Sequence, residues 1–525
     1  MVKFVKKYWI PILIFILGLS ISWPLMKTGY FSHQDDLQVM RIFEMRKCFS
    51  DLQIPCRWVP DMGWGNGFPL FNFYGVSTYY LGAIFSYFVG FLNSSKILFF
   101  ISLTVGSYGV YFLVKDLWGK YAGLTSSILY LFAPYKALDI YVRGALSESM
   151  ALAIIPFVLY FGYKKKYKLF TLSLFLFLIT HNIMTIIFVP VIFLWMIYWK
   201  NLRLLITSFV IAFGLASFFL LPAFFEKNLV QTQSLTRFEL DFRANFIGIK
   251  QLFFDRVWGY GTSIPGPEGG MNFQIGWPHW ILAIASIIVL LVKKIDKKIK
   301  YLIVTIFTIF IISAFMTHNK SSFIWESFTI LTYFQFPWRW LSLSILTSSI
   351  LGGFVILIVK EKFQKYLCAL IIIITVILNW NYFKPREFYN INDTQKLSGE
   401  LWEEQRRGAI LDYLPITALE PREGANTTLS NFQSYSNKFS FEINLDKETQ
   451  IEIPIFYFPN WEVTVNGKAY PSTHDNLLGR ISVSLEEGSY EVIGKFKNTP
   501  LRTFANTITL ISVIGFILIC RKKYI

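Results

Sequence analysis

Charged residues are scarce in this 525-residue chain. They make up 16% of it and hydrophobic residues 54%, whereas about a quarter of a typical soluble chain is charged. The apolar residues lie in long runs, such as 204–225 and 367–380, which are about the length that crosses roughly 30 Å of hydrocarbon. This composition excludes a soluble enzyme and argues against a nucleic-acid partner. The sequence predicts a polytopic α-helical membrane protein in contact with the lipid bilayer.

Ionisable side chains are almost absent from the middle of the apolar runs. Ion-coupled transporters normally place charges near the bilayer midplane, on broken helices, so this absence argues against that class. The ionisable residues near the runs instead collect at what we predict to be their outer ends: Lys136, Asp139, Arg143, Glu148, His181, Glu226, His279, His318 and Arg339. The pattern favours an enzyme site at the outer membrane boundary, acting on a lipid-borne substrate.

Cysteines are also few, at four. Cys48 and Cys56 share one predicted outer loop and can pair in an oxidising compartment, although two free thiols are the expected state. Cys368 and Cys520 lie in apolar runs and are expected to be core residues.

Positive charge is concentrated in short segments between the apolar runs. These segments hold 22 Lys and Arg against three acids, a net +19, which leaves −2 for the remainder of a chain whose formal charge is +17. The positive-inside rule places them on the cytoplasmic face. The segments are 3–7, 115–120, 164–168, 200–203, 293–300, 360–365 and 521–523. We therefore predict a multi-pass protein of the plasma (inner) membrane with both termini in the cytoplasm.

Residues 75–92 decide the number of spans. If they crossed the bilayer, every later basic segment would change sides, so we predict an interfacial or partly buried helix on the outer face. About twelve spans remain: 9–27, 96–114, 121–137, 148–163, 169–181, 184–199, 204–224, 278–292, 301–316, 338–359, 366–383 and 503–520. The first has a basic start but no small-x-small cleavage site, which predicts a retained anchor.

The region 384–502 differs from the rest of the chain. It alternates polar and apolar residues and contains turn dipeptides at Asn466-Gly467 and Glu487-Gly488, which is typical of β-strands. We predict a membrane domain at 1–383 with interfacial helices in 28–95. An extracytoplasmic, sandwich-like β-domain at 384–502 follows, and then a final helix and tail at 503–525.

Two acids follow the first predicted span, in the sequence Ser-His-Gln-Asp-Asp that ends at Asp35-Asp36. Apolar residues then recur at helical spacing beside Arg41, Glu44 and Lys47, which predicts an amphipathic helix in the outer interface. The acids are candidates for the site, and capping of this helix is the alternative. One acid can cap while the other faces the site.

Motifs spread over nearly the whole chain carry a resemblance to known proteins. They are His33-Gln-Asp-Asp, Arg57-Trp-Val-Pro-Asp-Met-Gly-Trp-Gly, Tyr141-Val-Arg-Gly-Ala-Leu-Ser-Glu, Thr180-His-Asn, Trp258-Gly-Tyr-Gly, Pro265-Gly-Pro, Gln335-Phe-Pro-Trp-Arg-Trp, Tyr457-Phe-Pro-Asn-Trp and Val465-Asn-Gly-Lys. With the order of spans, outer acid, interfacial helices and β-rich end, they resemble the GT-C superfamily of membrane glycosyltransferases. The closer resemblance is to bacterial membrane proteins labelled 6-pyruvoyl-tetrahydropterin-synthase-related.

Two motifs that are absent from the sequence limit the activities that this resemblance implies. The five His are scattered along the chain, so the cluster of zinc ligands that a pterin synthase needs is not expected. Residues 384–502 contain no Trp-Trp-Asp motif, which oligosaccharyltransferases of the superfamily would have. This second absence argues against protein N-glycosylation.

The resemblance implies an integral membrane, inverting glycosyltransferase with its active site on the extracytoplasmic face. Nucleotide sugars are cytoplasmic, so the donor would be a polyprenyl-phosphate sugar, and the acceptor an envelope glycan, a lipid or a protein. Phosphate is already a weak base as it leaves, so one carboxylate suffices as base for the acceptor. The resemblance places that base in the Asp35–Asp36 pair. We favour Asp35, with Asp36 orienting the acceptor or holding a divalent cation.

The remaining candidates would bind substrate. Arg143 and Arg339, with Glu148 nearby, are predicted to hold the donor phosphate, and interfacial snorkelling is the alternative for each Arg. Two further interpretations stay open. His181 and Asn182 occupy a short outer turn and either contact substrate or cap and pack a helix; Trp258 and Tyr260 either form a lip that stacks on a sugar or belong to an ordinary loop.

Two other functions compete with a glycosyltransferase. The first is a transporter or flippase for lipid-linked glycans, which an aqueous path with mid-membrane charges would support. The second is a non-catalytic envelope scaffold whose β-domain binds a partner, which substitution-tolerant Asp35 and Asp36 would support.

Overall fold

The computed structural model describes residues 2–232, 236, 240–264, 270–408, 413–421, 429 and 431–521, with side chains from residue 8 onward. The predicted basic positions 522–523 and the Pro265-Gly-Pro motif lie outside the described residues.

Helices form most of the described chain. Those before residue 200 are α1 (Val2–Ile21), α2 (Gln38–Ser50), α3 (Leu70–Phe73), α4 (Ser77–Val89), α5 (Phe91–Trp118), α6 (Lys120–Leu131), α7 (Pro134–Leu138), α8 (Leu146–Tyr163), α9 (Tyr167–Leu178) and α10 (Asn182–Tyr198). The later ones are α11 (Leu202–Phe225), α12 (Ile249–Phe253), α13 (Trp277–Val292), α14 (Lys297–Met316), α15 (Ser322–Ser327), α16 (Thr329–Thr332), α17 (Leu341–Phe354), α18 (Glu361–Asn379), α19 (Asp393–Lys396), α20 (Gly399–Arg407) and α21 (Pro500–Arg521).

Seven helical segments in the described part of the chain are long and apolar enough to cross a membrane. They are α5, α8, α11, α14, Pro337–Ile358 around α17, Glu361–Tyr382 around α18, and α21. Four further apolar helices are shorter: Tyr8–Ile21, α9, α10 and α13. The architecture is that of a helical membrane protein, and the predicted count of about twelve spans is not confirmed.

The segment predicted to lie in the interface contains α4. This helix has 13 residues and so rises about 20 Å along its axis, which is short of the roughly 30 Å of a hydrocarbon core. The length of α4 agrees with the predicted interfacial helix.

The chain divides into two compact units. The first contains residues 1–36, 96–212 and 236–391, and the second contains residues 37–95, 213–235 and 392–525. Two of the boundaries, at residues 95–96 and 212–213, fall within α5 and α11. The predicted division at residues 383 and 502 stays a prediction.

In the first unit, α17 packs against α6, α13 and α14. Small residues allow the close approach of α6, since a Cβ at Gly353 would collide with Ser126 and lie 2.6 Å from the Ala122 carbonyl oxygen. The hydroxyls of Ser313 and Ser344 hydrogen-bond at 2.8 Å between α14 and α17. Small residues and hydroxyl bonds of this kind are common where membrane helices associate without a hydrophobic driving force.

The second unit contains two antiparallel sheets. The strands are β3 (Gln433–Ser434), β4 (Lys438–Leu445), β5 (Thr449–Phe456), β6 (Trp461–Val465), β7 (Lys468–Tyr470), β8 (Arg480–Leu485) and β9 (Gly488–Phe496). One sheet has the order β3-β4-β9-β6-β7 and the other pairs β5 with β8. In β6, Trp461, Val463 and Val465 are buried in alternation, as the sequence pattern predicts. The β-rich region is confirmed, and its sandwich form stays a prediction.

The Asn466-Gly467 turn is confirmed as a two-residue hairpin between β6 and β7. Both residues have positive φ, at 47° and 75°, which matches the turn geometry that Asn-Gly favours.

A buried polar cluster holds α21 in the second unit. The Glu226 carboxylate accepts hydrogen bonds from Asn72 Nδ2 at 2.7 Å, Arg502 Nε at 2.9 Å and the Thr499 hydroxyl at 2.8 Å. Glu226 is 4% exposed and Arg502 is fully buried. Breaking a buried pair leaves an uncompensated charge, so Glu226 has an evident structural role.

Two features of the outer loop differ from the sequence analysis. Helix α2 was predicted to expose a polar face, but Arg41 and Glu44 are buried. Glu44 accepts bonds from the backbone N–H groups of Asp61 and Met62, because the following loop covers that face. Cys48 and Cys56 form a disulfide, so the expectation of two free thiols is wrong.

The topology gives a first prediction. A single Cys introduced at Asn466 should react with a membrane-impermeant thiol reagent in intact cells, and one introduced at Lys297 should react only after permeabilisation. The reason is the division of charge between the predicted faces. The reverse labelling pattern would contradict both the sidedness and the outer position of the β-rich region.

Candidate active site

The Asp35–Asp36 segment is held by backbone hydrogen bonds on two sides. Before it, β1 (Tyr30–Phe31) pairs with β2 (Phe388–Tyr389), and the Ser32 N–H donates to the Glu387 carbonyl at 3.1 Å. The N–H groups of Gln34 and Asp35 then donate to the carbonyls of Val142 and Arg143, at 2.9 and 2.8 Å. The acidic segment therefore runs directly beside Arg143.

Glycine at position 144 permits this approach. Gly144 has φ +69°, and a Cβ there would collide with the His33 ring. That ring is fully buried, with Nε2 3.9 Å from Asp36 Oδ1, and it makes edge contacts with Phe31 and Phe99. His33 thus packs as a buried spacer between Phe99 of α5 and Asp36.

Neither acid occupies the N-cap position of α2. That position is Leu37, with no side-chain cap bond. The Asp36 side chain is 41% exposed, and Asp35 is half-buried. Both acids precede the start of α2, and each is partly exposed.

A buried ion cluster lies beside this segment. Arg143 comes from a π-helical turn at Asp139–Arg143, and its Nη1 contacts Asp139 Oδ1 and, at 3.0 Å, Glu148 Oε2. Arg339 Nε reaches the same Glu148 oxygen at 3.2 Å. The Tyr135 hydroxyl donates to Glu148 Oε1 at 2.5 Å. One carboxylate therefore bridges two guanidinium groups that are 196 positions apart in sequence.

The charged side chains of this cluster are buried, so the interactions between them are stronger than they would be in water. Asp139 and Glu148 are 0% and 1% exposed, and each Arg is 8% exposed. Two cations meet two acids, so the formal charge of the four side chains sums to zero. Burial, with the adjacent Glu148, raises the pKa of Asp139 well above its usual range, against the opposing effect of Arg143.

Both guanidinium groups keep donors for a ligand. Arg339 Nη1 donates to the Phe334 carbonyl at 2.7 Å and to Gln335 Oε1 at 3.1 Å, and Arg143 lies 4.3 Å from the centre of the Trp338 ring. Among the described residues, no hydrogen bond is formed by the Nη2 of either Arg. Guanidinium groups fixed in this way suit bidentate recognition of phosphate.

His181 lies in the turn between α9 and α10 and caps α10. Its Nδ1 accepts a hydrogen bond from the Met184 N–H at 3.3 Å, and Asn182 is the first residue of the helix. Burial lowers the pKa of His181 to about 3, while nearby Glu148 opposes the shift and Arg339 adds to it. The structure therefore shows His181 as the cap of α10, and His181 lies near Glu148 and Arg339 of the ion cluster.

Trp258 and Tyr260 line a separate cavity of about 480 Å³. The Trp258 and Tyr382 rings stack at 4.8 Å, and the Tyr260 hydroxyl donates to the Lys384 carbonyl at 2.8 Å. The other lining residues are Arg256, Leu378, Asn381 and Lys384. The lining contains two cations and no acid, so the cavity suits a ring-shaped ligand with negative charge.

The acidic segment and this cavity are joined by one hydrogen bond. Gln34 Nε2 donates to the Gly261 carbonyl at 2.9 Å, one residue from Tyr260. The structure thus brings the acids beside Arg143, and the aromatic loop beside the acids.

Sequence reasoning missed several residues of this arrangement. Tyr135 and Gln335 hydrogen-bond to Glu148 and Arg339 of the cluster. Arg256 and Lys384 give the aromatic cavity its positive charge. The Asp139–Arg143 spacing of four residues was a usable signal for a helical ion pair. Nothing local indicates Lys384, because it reaches the loop only through the fold.

The described residues contain no group of three or more His, Cys, Asp or Glu placed to hold a metal ion. A divalent cation at Asp35–Asp36 stays a prediction.

Comparisons with known proteins give distant structural similarity. No family model matches the chain, and no curated protein matches it, so the closer resemblance to the pterin-synthase-labelled proteins is not shown. The chain is similar to the cryo-EM structure of arabinofuranosyltransferase AftD from Mycobacteria, with a TM-score of 0.45, 10% identity, and coverage of 74% of this chain and 28% of that one.

The chain is also similar to the crystal structure of the Archaeoglobus fulgidus oligosaccharyltransferase, with a TM-score of 0.45 and 12% identity over 82% of this chain and 62% of that one. A second structure from that organism, of AglB with an inhibitory peptide and a dolichol-phosphate, has a TM-score of 0.35. The chain spans less than two thirds of the length of each of these proteins.

Proposed function

We propose that the protein is an integral membrane, inverting glycosyltransferase of GT-C type. It would move a sugar from a polyprenyl-phosphate donor to an acceptor outside the cytoplasm. The observation that carries the proposal is the bond from the Asp35 N–H to the Arg143 carbonyl. It supports a site in which a carboxylate base and a phosphate-binding guanidinium belong to adjacent backbone segments.

The chemistry follows from these residue types. Asp35 accepts the proton of the acceptor hydroxyl as its oxygen attacks the anomeric carbon. The bond from that carbon to the phosphate oxygen breaks, and its electron pair leaves with the lipid phosphate. Phosphate needs no protonation to depart, so a second catalytic carboxyl group, as in glycosidases, is unnecessary. One displacement inverts the anomeric configuration.

Arg143 and Arg339 would stabilise the departing phosphate through their remaining Nη2 donors. Glu148 fixes both guanidinium groups and offsets their charge in the absence of donor. Asp36, alone or with a divalent cation, would orient the acceptor. Such a cation would supply further positive charge next to the phosphate.

The aromatic cavity would hold the acceptor. A sugar ring can stack on Trp258, and Arg256 and Lys384 would favour an acceptor that carries carboxylate or phosphate. The hydrogen bond from Gln34 to Gly261 keeps this cavity next to the proposed base.

Donor binding gives a prediction for the two arginines. Arg143→Ala and Arg339→Ala should each weaken donor binding by about ten- to a hundredfold, because a hydrogen bond to a charged group contributes about 1.5–3 kcal/mol. The measurement is the KM for the lipid donor in purified, folded protein. Unchanged donor kinetics in both variants would leave these residues with a structural role in the buried ion cluster.

The overall proposal is tested by supplying donors directly. Purified protein is incubated with a bacterial lipid extract and polyprenyl-phosphate mannose, glucose, galactose or arabinose, and sugar transfer is followed. We expect one donor to be consumed, with Asp35→Asn lacking transfer. Movement of intact lipid-linked sugar across the vesicle membrane, without consumption of the donor, would indicate a flippase. The absence of both activities would favour a scaffold.

A further inference from the structure

A second cavity lies far in sequence from the outer loops, on the predicted cytoplasmic side. It has a volume of about 370 Å³ and is bounded by the turn after α8, the turn after α10 and the first turn of α14. Its lining residues are Tyr163, Lys164, Lys165, Trp199, Asn201 and Lys298. All belong to the first compact unit.

Hydrogen bonds and ring contacts fix the walls of this cavity. The Tyr198 hydroxyl donates to the Lys298 carbonyl at 2.5 Å, and Asn201 Nδ2 donates to the Gly162 carbonyl at 3.2 Å. The Tyr163 and Trp199 rings meet edge to face at 4.6 Å. These contacts connect the ends of α8, α10 and α14, so the walls of the cavity are held in place by the fold.

The side chains that line the cavity carry positive charge. Three of its six lining residues are lysines and none is an acid. Lys164 pairs with Asp116 at 3.0 Å. The Asp296 carboxylate accepts a hydrogen bond from the Lys298 backbone N–H at 2.8 Å, but in the described part of the chain neither the Lys165 nor the Lys298 ammonium forms a salt bridge. Neighbouring ammonium groups repel one another, so an anion between them would be favoured.

Trp199 adds a hydrogen-bond donor. Its indole Nε1 is buried and has no hydrogen-bond partner among the described residues, and the Lys298 ammonium lies 4.5 Å from its ring centre. Buried N–H groups are normally paired. An oxyanion in the cavity would provide both the missing acceptor and the counter-charge.

We propose that this cavity binds the phosphate headgroup of an anionic phospholipid. Trp and Tyr at the ends of membrane helices lie at headgroup level, and basic pockets between such helices on the cytoplasmic side bind anionic headgroups. Beside the cavity, Ile197 and Tyr301 are 55% and 68% exposed, which gives acyl chains an apolar surface. This role is independent of glycosyl transfer.

Native mass spectrometry of the full chain, released from detergent, tests the proposal. Phosphatidylglycerol and phosphatidylcholine with identical acyl chains are titrated in turn, and inorganic phosphate is added in a third series. We expect phosphatidylglycerol to bind at least tenfold more tightly than phosphatidylcholine. Equal binding of the two lipids, or displacement of phosphatidylglycerol by millimolar phosphate, would overturn the assignment to a lipid.

Substitutions in the cavity lining test whether the lipid binds there. Lys165→Gln and Lys298→Gln should each weaken phosphatidylglycerol binding about fivefold, and roughly 25-fold together, from about 1 kcal/mol per basic residue. Trp199→Phe keeps an aromatic ring but removes the N–H donor and part of the ring surface, and should also weaken binding. The matched control is Lys362→Gln with Lys365→Gln, which removes the same charge from an exposed basic segment outside the cavity. If the control loses as much affinity as the Lys165/Lys298 double variant, binding is non-specific and the cavity has no such role.

Discussion

Asp35→Asn should lower sugar transfer by two to four orders of magnitude while donor binding and expression stay normal. That range is the usual contribution of a general base, and Asn retains the size of Asp but cannot take the proton. Asp35 is favoured because its own backbone N–H is bonded to the Arg143 carbonyl, so the backbone segments that carry the proposed base and the proposed phosphate-binding guanidinium are joined by a hydrogen bond.

Asp36→Asn should have a smaller effect, mainly on the KM for the acceptor. Asp36 lies beside the His33 ring and is 41% exposed, which suits a residue that orients an acceptor hydroxyl. The matched control is Asp446→Asn, an exposed acid between β4 and β5, which should leave transfer unchanged.

The outcomes separate the possible assignments. If Asp36→Asn gives the large loss and Asp35→Asn the small one, the two roles are exchanged. If both variants keep near-normal transfer, the base is not in this segment. Glu226 is a poor replacement, because its carboxylate is already bonded to Arg502, Asn72 and Thr499.

The residue types of the candidate site could be predicted because charges stand out in an apolar chain. Arg143, Glu148 and Arg339 were identified from their position at the ends of apolar runs, and the structure brings them into one cluster. What the sequence could not provide is the pairing itself. Glu148 meets Arg339 only after α8 packs near the segment that precedes α17, and no local pattern encodes that contact.

The same limit explains the errors in the outer loop. Helical spacing correctly predicted α2, but it also indicated that Arg41 and Glu44 face water. The loop after α2 covers them instead, and Glu44 is satisfied by two backbone N–H groups. In the β-rich region, by contrast, alternation and the Asn466-Gly467 turn are local signals, so the strands around them were found. The predicted number of spans is not confirmed. The predicted span 121–137 is divided between α6 and α7, which have 12 and 5 residues, and four other predicted spans correspond to apolar helices of 10–17 residues.

Glu148→Gln should cause the largest loss of stability among single variants of the cluster. The carboxylate is 1% exposed and touches both Arg143 and Arg339. Its neutralisation leaves two buried guanidinium groups against Asp139 alone. Breaking a buried ion pair by removing one partner costs about 3–5 kcal/mol, since the remaining charge is uncompensated. The measurement is thermal unfolding of the purified protein, together with the folded yield.

A matched control and a compensating variant make this prediction specific. Glu403→Gln removes a carboxylate from another Arg–Glu pair, at 2.7 Å from Arg406, but that carboxylate is 46% exposed, so its loss should cost at most about 1 kcal/mol. Combining Glu148→Gln with Arg339→Gln removes the excess charge and should recover part of the stability. If Glu148→Gln unfolds no earlier than the control yet lacks all transfer, Glu148 acts on the substrate and becomes the next candidate for the base.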